Sequence, residues 1–386
     1  MQTLEVTYQL VTPAFLEGFK TEKKYMRIRE MSIKGLIRFW WRALAYPLYG
    51  HDIATLHNRE ADLFGSTKQN SSVLFLPSED EGFVVEESSK PFEPYKGIQY
   101  LGYGLLPQND KQPIPPYIKV PWHFTIRLLS KTDFDPLLIN AFKILGLIGG
   151  MGRRSRRGFG SLSIVNIKHQ GKVLWESPKT LTDLTRTLQD ILPSPNPANS
   201  VLTYTAFGSQ TAIYFLAHGS HVFKLWDEVG RQFQMYRSFG RNGKVGSIPA
   251  EKNFRDDHDL MQQALNHEPV KQAPRRSIFG LPHNYWFSSG GQLMVTPRGA
   301  GDRRASPLML HLHQLTPEEY VVLASVFPAK FLPGAEPKIG IRVKNSTDIS
   351  VPGSIEQDYP VINEFITGKV AKAQTSRFPE ARCIWP

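Results

Sequence analysis

Between positions 149 and 162 the chain reads GGMGRRSRRGFGSL, five glycines and four arginines in fourteen residues. Arginine carries a permanent charge on a planar fork of donors that matches phosphate oxygens, and glycine lets a backbone turn tightly and approach a ligand closely. Interleaved, Gly150, Gly152, Arg153, Arg154, Ser155, Arg156, Arg157, Gly158, Phe159 and Gly160 could clamp a bent phosphate backbone without reading bases. Nucleotide-enzyme motifs fail here. A P-loop would need G-x-x-x-x-G-K-[ST], and the dinucleotide fingerprint would need glycine where Ser155 or Ser163 stands. An RNA-recognition signature matches Arg157, Gly158, Phe159 and Gly160 and then stops, so its stacking platform is incomplete.

A second set of cations lies in IKGLIRFWWRALAY (33–46), which contains no acid. At 100° per residue, Ile33, Leu36, Ile37, Trp40, Ala43 and Leu44 gather on one face, and Lys34, Arg38 and Arg42 gather nearly opposite. A merely soluble face mixes signs and gains i,i+4 pairs. Gly35, in the first turn, would open the free N–H groups to a phosphate. Trp40 belongs to the core. Trp41, on the border, could stack on a base or anchor a neighbouring protein.

Catalytic alternatives are thin. His51-Asp52 and DDHD (256–259) look like fragments of metal-dependent phosphohydrolase motifs, but that chemistry needs further ligands, and DDHD before LMQQAL reads as the acidic first turn of a helix. His311 and His313 share one side of a strand with no carboxylate nearby in sequence, which favours a structural pair. No catalytic residue, metal or cofactor is expected.

The elements that must position these residues follow from periodicity. Residues 4–10, 72–76, 119–129 and 161–167 read as strands, and 33–46 (Ser32 as N-cap) and 136–147 as helices, in the order β-α-β-β-α-β. Segment 77–118 reads as a surface excursion. The stretch LPSPNPANS (192–200), with prolines at 193, 195 and 197, divides a first domain (1–191) from a second (201–386). In the second, 203–207, 292–297, 308–313 and 320–327 read as strands, and 221–237, 257–267 and 359–366 as helices. The fold class is α+β: two ferredoxin-like domains with insertions.

Composition agrees with a polyanionic partner. Lys and Arg outnumber Asp and Glu by 46 to 35, for a net charge of +11, in a chain that is 41% hydrophobic. One cysteine, Cys383, excludes an intrachain disulfide and a cysteine zinc site. No signal peptide and no apolar run of ~20 residues is read, so no membrane association and a cytoplasmic location are expected.

A glycine-rich loop between the second helix and last strand of a ferredoxin-like domain resembles the RAMP superfamily of CRISPR proteins. TPAFLEGF (12–19), REMSIKGLIRFWWRAL (29–44), EADLFGS (60–66) and the glycine loop, with RRSIFGLPHNYW (275–286) and DRRASPLMLHLH (302–313), narrow the resemblance to the first-numbered RAMP subunits of type III-B (Cmr) effector complexes. That resemblance implies two fused RAMP domains capping a helical ribonucleoprotein near the guide (crRNA) 3′ end. Such a subunit holds guide and target RNA beside other RAMP subunits and is not the nuclease. It adds Arg275, Arg276, Arg303 and Arg304 to the RNA-facing residues, with Phe279 and Tyr285-Trp286-Phe287 packing beneath them. Two alternatives stay open: a RAMP-type endoribonuclease using His51 or His57, and a structural adaptor for acidic protein partners.

Overall fold

The computed structural model describes residues 1–16, 29–79, 82–107, 113–193, 201–240, 242–288, 290–299, 301–343, 348–368 and 377–386. In the first half the elements are β1 (Gln2–Leu10), α1 (Glu30–Tyr49), α2 (Ile53–Phe64), β2 (Val73–Glu79), α3 (Lys96–Leu101), β3 (Trp122–Ser130), α4 (Pro136–Ile148), β4 (Leu162–His169), β5 (Lys172–Glu176) and α5 (Leu181–Ile191). Alternation in β1 turns Leu4, Val6, Tyr8 and Leu10 to one buried face, where Leu4, Val6 and Tyr8 stand opposite Leu128, Ile126 and Phe124 of β3. The sheet runs β2-β3-β1-β4-β5, with every neighbouring pair antiparallel. Counting only the strands of the β-α-β-β-α-β unit, the order is second, third, first, fourth.

The apolar stripe of α1 and the nearly all-apolar α4 cover one face of this sheet. Asp135 caps α4 by accepting from Leu137 N at 2.7 Å, with Pro136 in the first turn where its missing N–H costs nothing. Ser32 is not the cap of α1. The helix begins at Glu30 after an extended Arg29, and Ser32 N already donates to the Arg29 carbonyl at 2.9 Å.

The second half contains β6 (Ala212–Gly219), α6 (Val222–Arg237), α7 (Arg255–Leu265), β7 (His283–Trp286), β8 (Gln292–Arg298), β9 (Leu308–Thr316), β10 (Glu319–Val326), β11 (Lys338–Val343), β12 (Ile349–Pro352), α8 (Pro360–Thr367) and β13 (Arg382–Trp385). One sheet runs β9-β10-β6-β13, again antiparallel throughout. Read as β6-α6-β9-β10-α8-β13, it repeats the second-third-first-fourth order. A separate sheet, β7-β8-β11-β12, is inserted into this unit.

Three expectations are corrected. Residues 203–207 form no strand: the first strand of this half is β6, and Phe207 packs on Trp40 (6.3 Å) and Phe327 (5.2 Å), with its N–H donating to the Ala43 carbonyl. Segment 77–118 is no surface excursion. Its helix α3 docks on α6 so closely that a Cβ at Gly97 would stand 1.9 Å from the Asp227 carbonyl oxygen. Asp227 Oδ1 accepts from Gly97 N at 2.7 Å, and Phe92, Ile98 and Leu101 join Trp226 and Phe233 in one core. The two halves are therefore not independently cored, because α1 and α4 also share a cluster with Phe207, Leu323 and Phe327. Of the proline-rich divider, residues 194–200 lie outside the described residues, as do 17–19 of TPAFLEGF.

Candidate nucleic-acid interface

The loop leaves α4 at Gly149 and enters β4 at Leu162, and segment 12–16 pins it from beneath. Arg153 N donates to Phe15 O (2.7 Å), Gly160 N to Pro13 O (2.9 Å), and Thr12 Oγ1 to Gly158 O (2.6 Å). Glycine is required at two of these positions. Gly152 has φ +83° and Gly160 φ +61°, and a Cβ would stand 2.4 Å from Phe15 O at the first and 2.0 Å from Met151 O at the second. Phe159 is 0% exposed, edge-on to Trp226 at 4.4 Å, so it is core and cannot stack on a base. Gly158 and Gly160 are buried with it, which removes three residues from the expected contact surface.

The four arginines divide. Arg156 and Arg157 cross to the second half. Arg156 Nη1 donates to Ser306 O at 2.6 Å, and Arg157 Nη2 to Phe279 O at 3.1 Å. Leu310 N donates to the Arg156 carbonyl and Trp226 Nε1 to the Arg157 carbonyl. Arg153 and Arg154 stay exposed, with Arg154 donating to the Tyr103 carbonyl beside an exposed tyrosine ring.

The seam that Arg156 and Arg157 enter is lined by further cations. Arg276 Nη1 donates to Arg237 O at 2.8 Å, and Arg304 Nη2 to Lys330 O at 3.0 Å. Arg303 is exposed and lies near enough to Arg154 to lower its pKa, after loss of water and alongside Arg153 and Arg237. Burial, then Arg237, pushes Arg157 down to about 9, and burial, then Arg304, pushes Arg156 down to about 10. Among the described residues none of Arg154, Arg156, Arg157, Arg237, Arg276 and Arg304 is ion-paired with a carboxylate. Arg275 is set apart: its Nε meets Asp358 Oδ1 at 3.2 Å. The seam is a concentration of positive charge that the described side chains do not neutralise.

The cationic face of α1 is built otherwise. Lys34, Arg38 and Arg42 do line one side, but Glu60 of α2, 6% exposed, reaches across to it. Its carboxylate ion-pairs with Arg38 Nε and stands 3.5 Å from Arg42 Nε. Lys34 Nζ lies 5.6 Å from the Phe75 ring. Gly35 is exposed with open space where a Cβ would sit. Trp41 is 0% exposed and edge-on to Phe64 at 6.1 Å, so it is core, and neither stacks on a base nor anchors a neighbour. A one-helix projection could not show this, because the ring is covered by a second helix.

Residues 7–163, a stretch that ends just past the glycine loop, match the RAMP superfamily. The chain belongs to the RAMP superfamily. Among RAMP proteins it is 32% identical over 148 residues to CRISPR system Cmr subunit Cmr1-1 of Pyrococcus furiosus, which is 37% of this chain and 42% of that one. It is 28% identical over 174 residues to Cmr subunit Cmr1-2 of the same organism, 40% of this chain and 91% of that one. The aligned region thus spans less than half of the first relative. The crystal structure of Cmr1 from Pyrococcus furiosus in its apo form matches the fold, with a TM-score of 0.62 at 18% identity, over 100% of this chain and 99% of that one.

In this RAMP chain the motifs that suggested hydrolysis have structural work. Asp52 caps α2, accepting from Thr55 N (3.0 Å) and Thr55 Oγ1 (2.6 Å), and these bonds lower its pKa. Asp257, buried in the first turn of α7, accepts from Arg275 N and Arg276 N at 2.9 and 2.7 Å. His311 and His313 are buried on β9, with His313 Nδ1 3.1 Å from Gly146 O and 3.2 Å from Ser163 Oγ. Burial pushes His313 down to about 4 and lowers His311 also. His51 and His57 are exposed. Sequence reasoning missed Arg237, whose neighbours QMYR-SFGR gave no charge run; only its place at the end of α6 brings it to the seam.

Proposed function

We propose that this chain is a non-catalytic RNA-binding subunit of a type III-B CRISPR ribonucleoprotein. On this reading it is two fused ferredoxin-like RAMP domains, 1–191 and 201–386, joined by the proline-rich 192–200. The repeated strand order of the two sheets supports that division. In the complex it caps the assembly near the guide 3′ end, in the cytoplasm, helping to hold guide and target RNA beside other RAMP subunits for antiviral interference. The similarity to the Cmr subunits supports the assembly, and the arginine seam supports the RNA.

The observation that carries the reading is the charge of Arg154, Arg156, Arg157, Arg237 and Arg304 along one seam, which no described carboxylate pairs. Fixed cations of one sign attract a polyanion, and without a paired acid they stay available to it. The exposed rim, Arg153, Arg154 and Arg303, meets phosphates, while Arg156 and Arg157 hold the two halves at the spacing the backbone needs. Tyr103 offers a ring beside them.

Titration of single-stranded RNAs of unrelated sequence across salt concentrations tests this. Binding should weaken with a slope near roughly −0.7 per phosphate contact in log K against log salt. Changing Arg154 and Arg303 together to Ala should reduce affinity for all sequences alike. Salt-independent binding, or none, would overturn the reading. Labelled RNA should stay intact with Mg²⁺, Mn²⁺ or EDTA, and cleavage lost in His51→Ala or His57→Ala would replace it with the endoribonuclease.

A further inference from the structure

Beneath the rim of the seam, two guanidinium groups have more donors than the fold uses. Arg157 and Arg237 lie against the same ring, Phe233, at 4.6 and 4.8 Å. Arg157 spends Nη2 on the Phe279 carbonyl, and Arg237 Nη1 stands 3.4 Å from Tyr100 Oη. Arg157 Nη1 and Arg237 Nε are shut off from solvent and, among the described residues, have no hydrogen-bond partner. Arg276 adjoins them, its Nη1 on the Arg237 carbonyl. A buried charge without a partner is costly, and two of like sign side by side are costlier. Water could fill the empty donor positions but would leave the charges uncompensated; an anion does both.

We propose that Arg157 and Arg237, flanked by Arg276, bind a single phosphate monoester group, which in the assembled protein is the terminal phosphate of an RNA strand. Depth selects the terminus. An internal phosphodiester would have to press a ribose on each side into the apolar wall of Phe233 and Phe279, whereas a chain end enters with one. His283 lies in the same positive potential: burial, then Arg276, Arg237 and Arg157, lower its pKa, so the imidazole stays neutral and does not add to the charge. The RNA source of the phosphate rests on the function proposed above; the anion site itself does not.

The site is tested first with inorganic phosphate. At matched ionic strength, phosphate in place of chloride should raise the melting temperature of the wild-type chain well beyond its effect on Arg237→Gln, which measures the general salting effect of phosphate on any protein. Equal shifts in the two proteins would overturn the site. If Arg237→Gln does not fold, Arg157→Lys serves instead, and phosphorus-31 line broadening with the wild-type chain reads binding directly. RNA oligomers ending in a 3′- or 5′-phosphate should then bind about tenfold or more tightly than hydroxyl-ended ones, the worth of one charge-assisted contact. That preference should collapse in Arg237→Gln. A phosphate shift without any end preference overturns the RNA terminus and leaves a free-phosphate site. A phosphate shift with no RNA binding at all overturns the proposed function and leaves the site standing. RNA binding with no end preference and no phosphate shift overturns this inference and spares the function.

Discussion

Two groups of cations of similar sequence character, the α1 face and the glycine loop, have opposite electrostatic fates. On α1, Arg38 and Arg42 share the buried Glu60 carboxylate supplied by α2. In the loop, Arg156 and Arg157 spend donors on neutral carbonyls and find more arginines rather than acids. A carboxylate satisfies both the hydrogen bonds and the charge, whereas a carbonyl satisfies only the bonds. The first surface is closed electrostatically and the second remains open to an anion. Positive charge in a sequence is therefore a count of candidates, and the partner acids decide how much of it is available.

The sharpest way to break the comparison is to remove what holds the loop in the seam. Phe159→Ala deletes a ring with no exposure, and should cost about 3–5 kcal/mol of stability, read by denaturant unfolding. If it melts near the wild type, the loop is not packed as described and its arginines are free to reorient.

Acid should act next, through β9 behind the loop. An unfolded histidine titrates near 6.5 and folded His313 near about 4, so between these values the unfolded chain binds the extra proton. Stability is full above the unfolded pKa and falls as pH drops, by about 1.4 kcal/mol per unit per histidine. Urea unfolding at pH 7, 6 and 5 measures the slope, which His313→Gln should flatten; an unchanged slope would place the titration elsewhere.

Arg38→Ala tests the closed surface. It leaves the buried Glu60 with Arg42 alone, and should cost about 1 kcal/mol, the low end for an under-satisfied buried charge because Arg38 is 40% exposed. RNA affinity should change little. A large loss of affinity with unchanged melting would show that α1 also meets RNA.

The smallest effect belongs to Gly35→Ala. With open space at its Cβ and a helical backbone, the substitution should stabilise α1 by about 0.5–1 kcal/mol. If the glycine serves close approach of a phosphate, the more stable variant will bind RNA less well; equal binding confines the interface to the seam.

What could be read from the chain was local. Alternation in 4–10, the stripe of 33–46 and the Asp135-Pro136 start of α4 identify their elements because each face or cap is set within a few residues. Positions 203–207 misled because Thr and Tyr favour strands, but the segment is instead drawn onto Trp40 through Phe207. The second half was harder for a related reason: a sheet is inserted into its unit, so neighbours in sequence are not neighbours in space.

By itself the sequence determined the surplus of cations, the glycine positions where no Cβ fits, and the motifs that matched the RAMP superfamily, since these depend on residue type and short spacing. Only the tertiary structure decided which cations are answered. Glu60 lies 22 residues from Arg38, Arg237 lies 80 from Arg157, and Phe279 lies 122 from it. Coulomb interaction falls with distance through space and takes no account of distance along the chain. The same packing that buries Trp41 and Phe159 places one acid against α1 and, among the described residues, pairs none with the arginines of the seam.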